Sequence, residues 1–201
     1  MPAARFSQPV FWTLSLLIAL SSWRFMFGGV EQTMEFVAYH AQERRVAFFA
    51  HVGLAPVALA LTPFQLSAGL RRRRPDLHRW MGRVSAVAIA LSGIGGLSMA
   101  IGTNAGPVAA WGFALLAVVW VACMVMGVAQ AMRGRLADHR AWMIRTAALT
   151  LAGVTLRLML PVGPMAFGLP FDAAYPAIAW LCWIPNLIVA EWVLRREKAG
   201  P

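Results

Sequence analysis

The chain has 201 residues, of which 60% are hydrophobic and only 13% are charged, a composition that excludes an ordinary soluble domain. Its formal net charge of +10 would suit an anionic partner such as nucleic acid, but the basic residues cluster between long apolar runs. That clustering is the positive-inside pattern of membrane proteins. We therefore expect a membrane protein that binds no nucleic acid.

Six apolar runs follow one another along the chain, and most are long enough to cross a bilayer core of about 30 Å. They cover approximately residues 10–28, 46–70, 84–103, 108–132, 146–160 and 174–194. We predict an all-α protein, a six-transmembrane-helix bundle in which residues 1–201 form a single integral membrane domain. The fifth run is expected to stop at Pro161, because proline removes a backbone donor.

A polar stretch over residues 30–45 separates the first run from the second. It mixes charged residues with Met34, Phe36 and Val37, which predicts an amphipathic helix or loop on the outer face. This element is expected to be either separate from the second run or continuous with it.

The positions of the basic residues predict the orientation of the chain. Clusters follow the second, fourth and sixth runs, and their members are Arg71, Arg72, Arg73, Arg74, Arg79 and Arg83; Arg133, Arg135, Arg140 and Arg145; and Arg195, Arg196 and Lys198. Basic residues are retained on the cytoplasmic side. We therefore expect a multi-pass protein of the bacterial inner membrane, with both termini in the cytoplasm.

Residues 71–83 and residues 133–145 resemble each other. Each stretch contains an Asp, a His-Arg pair, a Trp-Met pair and a closing Arg. Each also joins the end of one apolar run to the start of the next. A weak internal duplication of helices two and three with helices four and five is therefore expected.

The histidines of these two stretches, His78 and His139, are candidate metal ligands. Asp76 and Asp138 precede them and are predicted helix N-caps, which would put both imidazoles in the first turn of a helix. The positive end of a helix dipole disfavours imidazolium, and neutral imidazole is the form that ligates metal. Two such rings at one depth could hold a haem iron between them. The arginines expected to pair with the haem propionates are Arg79, Arg83, Arg140 and Arg145.

Two alternatives for the same stretches stay open. Arginine and tryptophan are common at the cytoplasmic interface, where they bind anionic lipid and anchor at the headgroups. Two helix N-termini with arginines could also form an anion site without any metal.

Three other polar residues lie within the outer half of the apolar runs: Arg24, His51 and Arg157. Polar groups in a bilayer by default face the protein interior, so these three predict a pocket for an anionic ligand. The alternative is hydrogen bonding between helices, with Arg24 reaching outward to water. His40 precedes His51 by eleven residues, which is about 16 Å on a continuous helix and too far for a shared iron.

Gln65, Asn186 and Glu191 lie near the inner ends of the second and sixth runs and are predicted structural polar residues. Glu191 is expected to form an ion pair with Arg79, Arg83 or Arg145, although a proton-relay role is the alternative.

Four stretches together resemble domain-of-unknown-function family 2306, a bacterial membrane family. They are Leu77-His-Arg-Trp-Met-Gly-Arg83, His139-Arg-Ala-Trp-Met-Ile-Arg145, Ala148-Leu-Thr-Leu-Ala-Gly-Val-Thr-Leu-Arg157 and Ala179-Trp-Leu-Cys-Trp-Ile-Pro-Asn-Leu-Ile-Val-Ala-Glu-Trp192. The resemblance covers runs two to six and implies a membrane protein without implying an activity.

A fainter resemblance is to the six-helix transmembrane cytochromes b that move electrons from ascorbate or similar donors. Those proteins have a Leu-His-Ser-Trp-Leu-Gly-like stretch at the start of the third span, similar to Leu77–Gly82. The resemblance implies one haem between His78 and His139. Their second haem needs histidines in spans two and four, and here only His51 is present, so at most one haem is implied.

The leading hypothesis is a membrane protein that binds haem b between His78 and His139 and exchanges electrons with a quinone or a larger membrane complex. The alternative is a non-enzymatic accessory subunit, or a carrier that binds an anion in the pocket of Arg24, His51 and Arg157. No Ser-His-Asp grouping, P-loop or cysteine-rich metal motif is present, so the sequence leaves open whether the protein is an enzyme.

Overall fold

A computed structural model describes residues 3–199, with the side chains of residues 3–8, 166, 167, 198 and 199 outside the description. The described residues form helices joined by short connections, with no strand among them. Six stretches are long and apolar enough to cross a membrane: Pro9–Gly28, Arg45–Leu66, Pro75–Ile101, Gly106–Met132, Leu136–Met165 and Phe171–Glu197. The predicted all-α, six-span architecture is confirmed, whereas the orientation of the termini stays a prediction.

Twelve α-helices and one 3-10 helix are described within residues 3–199. They are α1 (Ala3–Ser22), α2 (Phe25–Gly28), α3 (Val30–Thr33), the 3-10 helix (Glu35–Val37), α4 (Tyr39–Glu43), α5 (Arg45–Leu66), α6 (Ala68–Arg73), α7 (Pro75–Ile101), α8 (Gly106–Met132), α9 (Leu136–Thr150), α10 (Ala152–Phe167), α11 (Phe171–Leu181) and α12 (Ile184–Ala199).

The predicted end of the fifth span at Pro161 is wrong. The span instead breaks at Leu151, and α10 then continues through Pro161 and Pro164 to Gly168, which has φ 61°. A helix in an apolar surrounding tolerates proline, because leaving the helix would expose many more backbone groups than the ring removes. The sixth span has a similar break, between α11 and α12.

The predicted N-caps are also wrong. Helix α7 begins at Pro75, since proline fits the first helical turn, where no backbone donor is needed. Helix α9 begins at Leu136, directly after Arg135 and two residues after Gly134, which has φ 71°. Asp76 and Asp138 therefore lie inside the first turns, where a carboxylate still complements the helix dipole.

Residues 30–44 are not continuous with the second span, which begins at Arg45. They form α3, the 3-10 helix and α4, and the backbone then leaves the helical conformation at Arg44, with φ −136° and ψ 48°. This chain of short helices places His40 in a different helix from His51. The 16 Å separation expected on a continuous helix therefore does not apply.

The chain divides into two compact units, Met1–Gly95 and Gly96–Pro201, with α7 running across the boundary. In the first unit α1 packs on α5, with the Trp12 and Phe64 rings 4.7 Å apart. Trp23 Nε1 also donates to Gly53 O at 3.0 Å. Helices α5 and α7 are antiparallel, since Gln65 at the end of α5 binds His78 at the start of α7, and His51 binds Ser92.

In the second unit α8 is the central helix, and it packs against α9 and α11. A buried hydrogen bond from Trp120 Nε1 to Thr150 Oγ1, 2.9 Å long, joins α8 to α9. Near the other end of α8, Ala109 packs with Tyr175 and Ala179 in a buried apolar core. Helix α12 in turn packs on α9.

Candidate functional site

His78 lies in the first turn of α7, in the first unit, and is half-buried. The backbone of this turn is held from α5, because Gln65 Nε2 donates to His78 O at 3.1 Å. A donor from a neighbouring helix at this point fixes the position of the turn that carries the imidazole. Gln65 thus acts here as a link between helices.

His139 lies in the first turn of α9, in the second unit, and its ring is oriented by α8. His139 Nδ1 is 2.8 Å from the carbonyl oxygen of Gly127. Since a carbonyl can only accept, this bond requires the proton on Nδ1 and leaves the lone pair of Nε2 for another partner. A backbone carbonyl on the second nitrogen is the usual arrangement of a histidine that ligates a metal.

Gly127 lets the two helices approach closely enough for this bond. A Cβ atom at that position would collide with the Met143 side chain and would lie 3.3 Å from Trp142 Cβ. A larger residue at this place would require the end of the Met143 side chain to shift and would crowd Trp142.

The arginines predicted for haem propionates already have partners, with one exception among the described residues. Arg79 pairs with Asp76. Arg140 contacts Glu197 through two bonds of 2.5 and 2.8 Å. For Arg83, which is exposed, no ion pair is found within residues 3–199.

Arg145 is the arginine that the structure places against Glu191. The two bonds are 2.5 Å from Nε to Oε1 and 3.0 Å from Nη2 to Oε2, and the guanidinium also lies 4.7 Å from the Trp142 ring centroid. A bidentate pair of this kind ties α12 to α9.

The residues predicted for the outer anion pocket bind backbone carbonyls within their own units. Arg24 donates to Thr33 O through Nε and Nη2, at 3.1 and 2.9 Å. His51 Nδ1 bonds to Ser92 O at 2.8 Å, and Arg157 Nη1 donates to Gly153 O at 2.9 Å. Each group therefore stabilises the local backbone, and the anion pocket stays a prediction.

His78 with Arg79 and Arg83 belongs to the first unit, whereas His139 with Arg140 and Arg145 belongs to the second. The pairing of the two histidines is therefore still a prediction. Across the described part of the chain, no group of three or more His, Cys, Asp or Glu side chains is placed to hold a metal ion. A haem does not need such a group, because the porphyrin supplies four ligands and the protein one or two.

A family model described as "Predicted membrane protein (DUF2306)" matches residues 48–194, which is 147 of the 201 residues. The chain belongs to this DUF2306 family. The match covers His51, His78, His139 and Asn186 but neither Arg24 nor His40. No curated protein and no solved structure matches the chain.

In this DUF2306 protein, Asn186 joins the breaks in the fifth and sixth spans. Its Nδ2 lies 3.3 Å from Ala148 O, 3.0 Å from Thr155 Oγ1 and 3.2 Å from Cys182 O, and these three acceptors share its two N–H groups. Both carbonyls lie where a helix stops, and such carbonyls need a donor when water is absent. The sequence predicts a structural role for Asn186, but it does not show that two helix breaks meet there.

His40 is a residue that sequence reasoning treated only as a distant neighbour of His51. It is 2% exposed, its ring centroid lies 4.1 Å from that of Tyr39, and its buried Nδ1 has no hydrogen-bond partner among the residues that the structure describes. Burial lowers the pKa of His40 below its ordinary value of 6.5, and the positive charge of Arg44 adds to this shift. A lone histidine in a polar stretch carries no sequence signal for such burial.

Proposed function

We propose that this DUF2306 protein is a b-type haem protein of the bacterial inner membrane, with His139 as an axial ligand of the iron. The observation that carries the proposal is the bond from His139 Nδ1 to Gly127 O. It fixes the orientation and the tautomer of the ring. Nε2 then carries no proton, and its lone pair is available to coordinate a haem iron.

The position of His139 in the chain supports the same role. The imidazole lies in the first turn of the fifteen-residue helix α9. His78 occupies the corresponding place in α7, and it is the partner ligand that the sequence predicts. The two residues recur in stretches of similar sequence, which favours the same role for both.

The arginines near the histidines would neutralise propionate charge. Arg83 makes no ion pair within residues 3–199 and is therefore the most available. Arg79 and Arg140, which pair with carboxylates, would have to share or exchange their partners. Propionates beside arginine guanidinium groups form charge-assisted bonds of the strong kind.

A bound haem would supply one-electron chemistry, through the ferric and ferrous states of its iron. We therefore infer electron exchange with a quinone or with a larger membrane complex, with both termini in the cytoplasm as the basic clusters predict. Six apolar spans and no extended soluble domain within the described residues favour a partner that is itself in or on the membrane.

Absorption spectra of the purified protein test this proposal. The protein is expressed with a supply of haem precursor, and spectra are recorded after oxidation by air and after reduction by dithionite. We expect a haem band that sharpens on reduction, and that is lost or strongly altered in His139→Ala and in His78→Ala. His40→Gln and His51→Gln, which remove the other two histidines, serve as controls and should keep the band. A parent protein without the band, or a His139→Ala variant that retains it unchanged, would refute the proposal.

A further inference from the structure

Four consecutive arginines, Arg71–Arg74, join the second span to the third, and we refer to them as the basic link. All four side chains are exposed. They make no ion pair within residues 3–199, and the nearest carboxylate in sequence, Asp76, is already bound by Arg79. We propose that the basic link binds the headgroups of anionic phospholipids.

The level of the basic link relative to the membrane follows from the helices on either side. Helix α5 ends at Leu66 and α7 begins at Pro75, so both neighbouring spans terminate within a few residues of the arginines. The link between them is itself ordered as α6, where Ser67 Oγ accepts from Leu70 N at 3.3 Å and caps the helix. The four guanidinium groups are therefore held close to the ends of two spans, where phosphate groups lie.

Three exposed apolar side chains lie near the basic link in sequence. Leu66 is 40% exposed, Leu77 is 39% exposed and Trp80 is 60% exposed. A tryptophan beside arginines is typical of the membrane interface, where its ring lies among headgroups. Positive groups next to exposed apolar groups complement a phospholipid, whose phosphate adjoins its acyl chains. A soluble anion would use only the charges.

The corresponding stretch of the second unit provides a comparison. Arg133 and Arg135 are also exposed and also make no ion pair among the described residues, whereas Arg140 and Arg145 bind carboxylates. Two unpaired arginines stand there, in place of the four of the basic link. The selectivity for anionic lipid should therefore depend mainly on Arg71–Arg74.

The test measures lipid selectivity in reconstituted vesicles of phosphatidylcholine that contain a trace of spin-labelled lipid. The ratio of association of spin-labelled phosphatidylglycerol to that of spin-labelled phosphatidylcholine is compared among variants. We expect a ratio of roughly three to ten for the parent, decreasing with added salt. Replacement of Arg71, Arg72, Arg73 and Arg74 by Gln should bring the ratio close to that of a neutral surface. The matched control Arg133→Gln/Arg135→Gln should keep most of it.

Three further arms make each outcome decisive. A fourfold Arg→Lys variant of the basic link should preserve the ratio, which shows that loss in the Gln variant is not misfolding. Inorganic phosphate should displace no more labelled lipid than chloride at equal ionic strength; stronger displacement would identify a soluble anion as the ligand and overturn the proposal. A Gln variant with unchanged selectivity would also overturn it. His139→Ala should keep the lipid selectivity, so this test fails or succeeds independently of the haem.

Discussion

At Gly95 the backbone of α7 lies against the backbone of α5. A Cβ atom there would collide with the carbonyl oxygen of Ala47 and would lie 3.2 Å from the backbone nitrogen of His51. Neither obstacle is a flexible side chain, so the helices would have to separate. Small residues allow this close approach between membrane helices, and the approach brings His51 to Ser92 O on the same pair of helices.

Gly95→Ala should therefore destabilise the protein by about 1–3 kcal/mol, as overpacked sites do. The matched control is Gly53→Ala in α5, where a Cβ atom would meet nothing within 4 Å. That variant should be neutral or slightly stabilising, since alanine favours a helix. Thermal unfolding in detergent, followed by circular dichroism, measures both. Equal midpoints for the two variants would contradict the close packing of α5 and α7.

His40 should make the outer stretch sensitive to acid. Burial lowers its pKa, Arg44 and His51 lower it further, and Glu43 partly opposes them. The folded pKa is thus below 6.5, the value expected in the unfolded chain. The contribution of neutral His40 is complete above pH 6.5. As the pH falls from 6.5 towards the folded pKa, the unfolded state takes up the proton first and stability is lost.

Hydrogen exchange of residues 39–44 measures this effect. After correction for the intrinsic pH dependence of exchange, protection should decrease between pH 6.5 and mildly acidic pH in the parent. It should be nearly independent of pH in His40→Gln, which keeps a polar side chain but cannot titrate. A pH dependence that persists in His40→Gln would assign the effect to another group.

In the second unit, two of the membrane spans are interrupted helices. The fifth span breaks between α9 and α10 and the sixth between α11 and α12, and Asn186 donates to a carbonyl at each break. An interrupted helix inside a membrane needs donors from neighbouring helices for the backbone groups that the break releases. Asn186 and Thr155 supply side-chain bonds at this place, and they also bind each other.

Asn186→Leu should cost about 1–3 kcal/mol, the usual range when a buried carbonyl loses its donor. Thr155→Val should cost less, because Thr155 Oγ1 is only one of the three acceptors that share the two N–H groups of Asn186 Nδ2. The double variant should cost less than the sum of the two, since both single variants remove the same bond. Unfolding in mixed micelles, with an increasing fraction of a denaturing detergent, gives the free energy of unfolding of the parent and of each variant. Strict additivity would show that the two side chains do not interact.

At the scale of the whole molecule, the sequence predicts the features that the bilayer imposes. The number of spans follows from the length of the apolar runs, because about twenty residues are needed to cross the core. The end of the fifth span could not be predicted from Pro161, since a helix in lipid continues through proline where a soluble helix ends. The break at Leu151 has no proline in the four residues after it, whereas the break after Leu181 lies four residues before Pro185, which has no backbone donor for the Leu181 carbonyl.

For the candidate site, the sequence predicts which residues are involved but not the bonds that they make. Repeated His-Arg and Trp-Met pairs in the two basic stretches indicate His78 and His139, and the structure places both in first helical turns. The bond from His139 to Gly127 could not be predicted, because it depends on how closely α8 and α9 pack. The outer arginines bind backbone carbonyls, which a sequence pattern cannot distinguish from binding a ligand.

The haem content of the protein tests the central claim most directly. Haem extracted into alkaline pyridine and measured per mole of chain should approach one in the parent, in His40→Gln and in His51→Gln. It should fall below about a tenth in His139→Ala, because loss of an axial ligand from a partly exposed site removes most of the affinity. Full haem content in His139→Ala, or none in a well-folded parent supplied with haem, would contradict the assignment of His139 as the iron ligand.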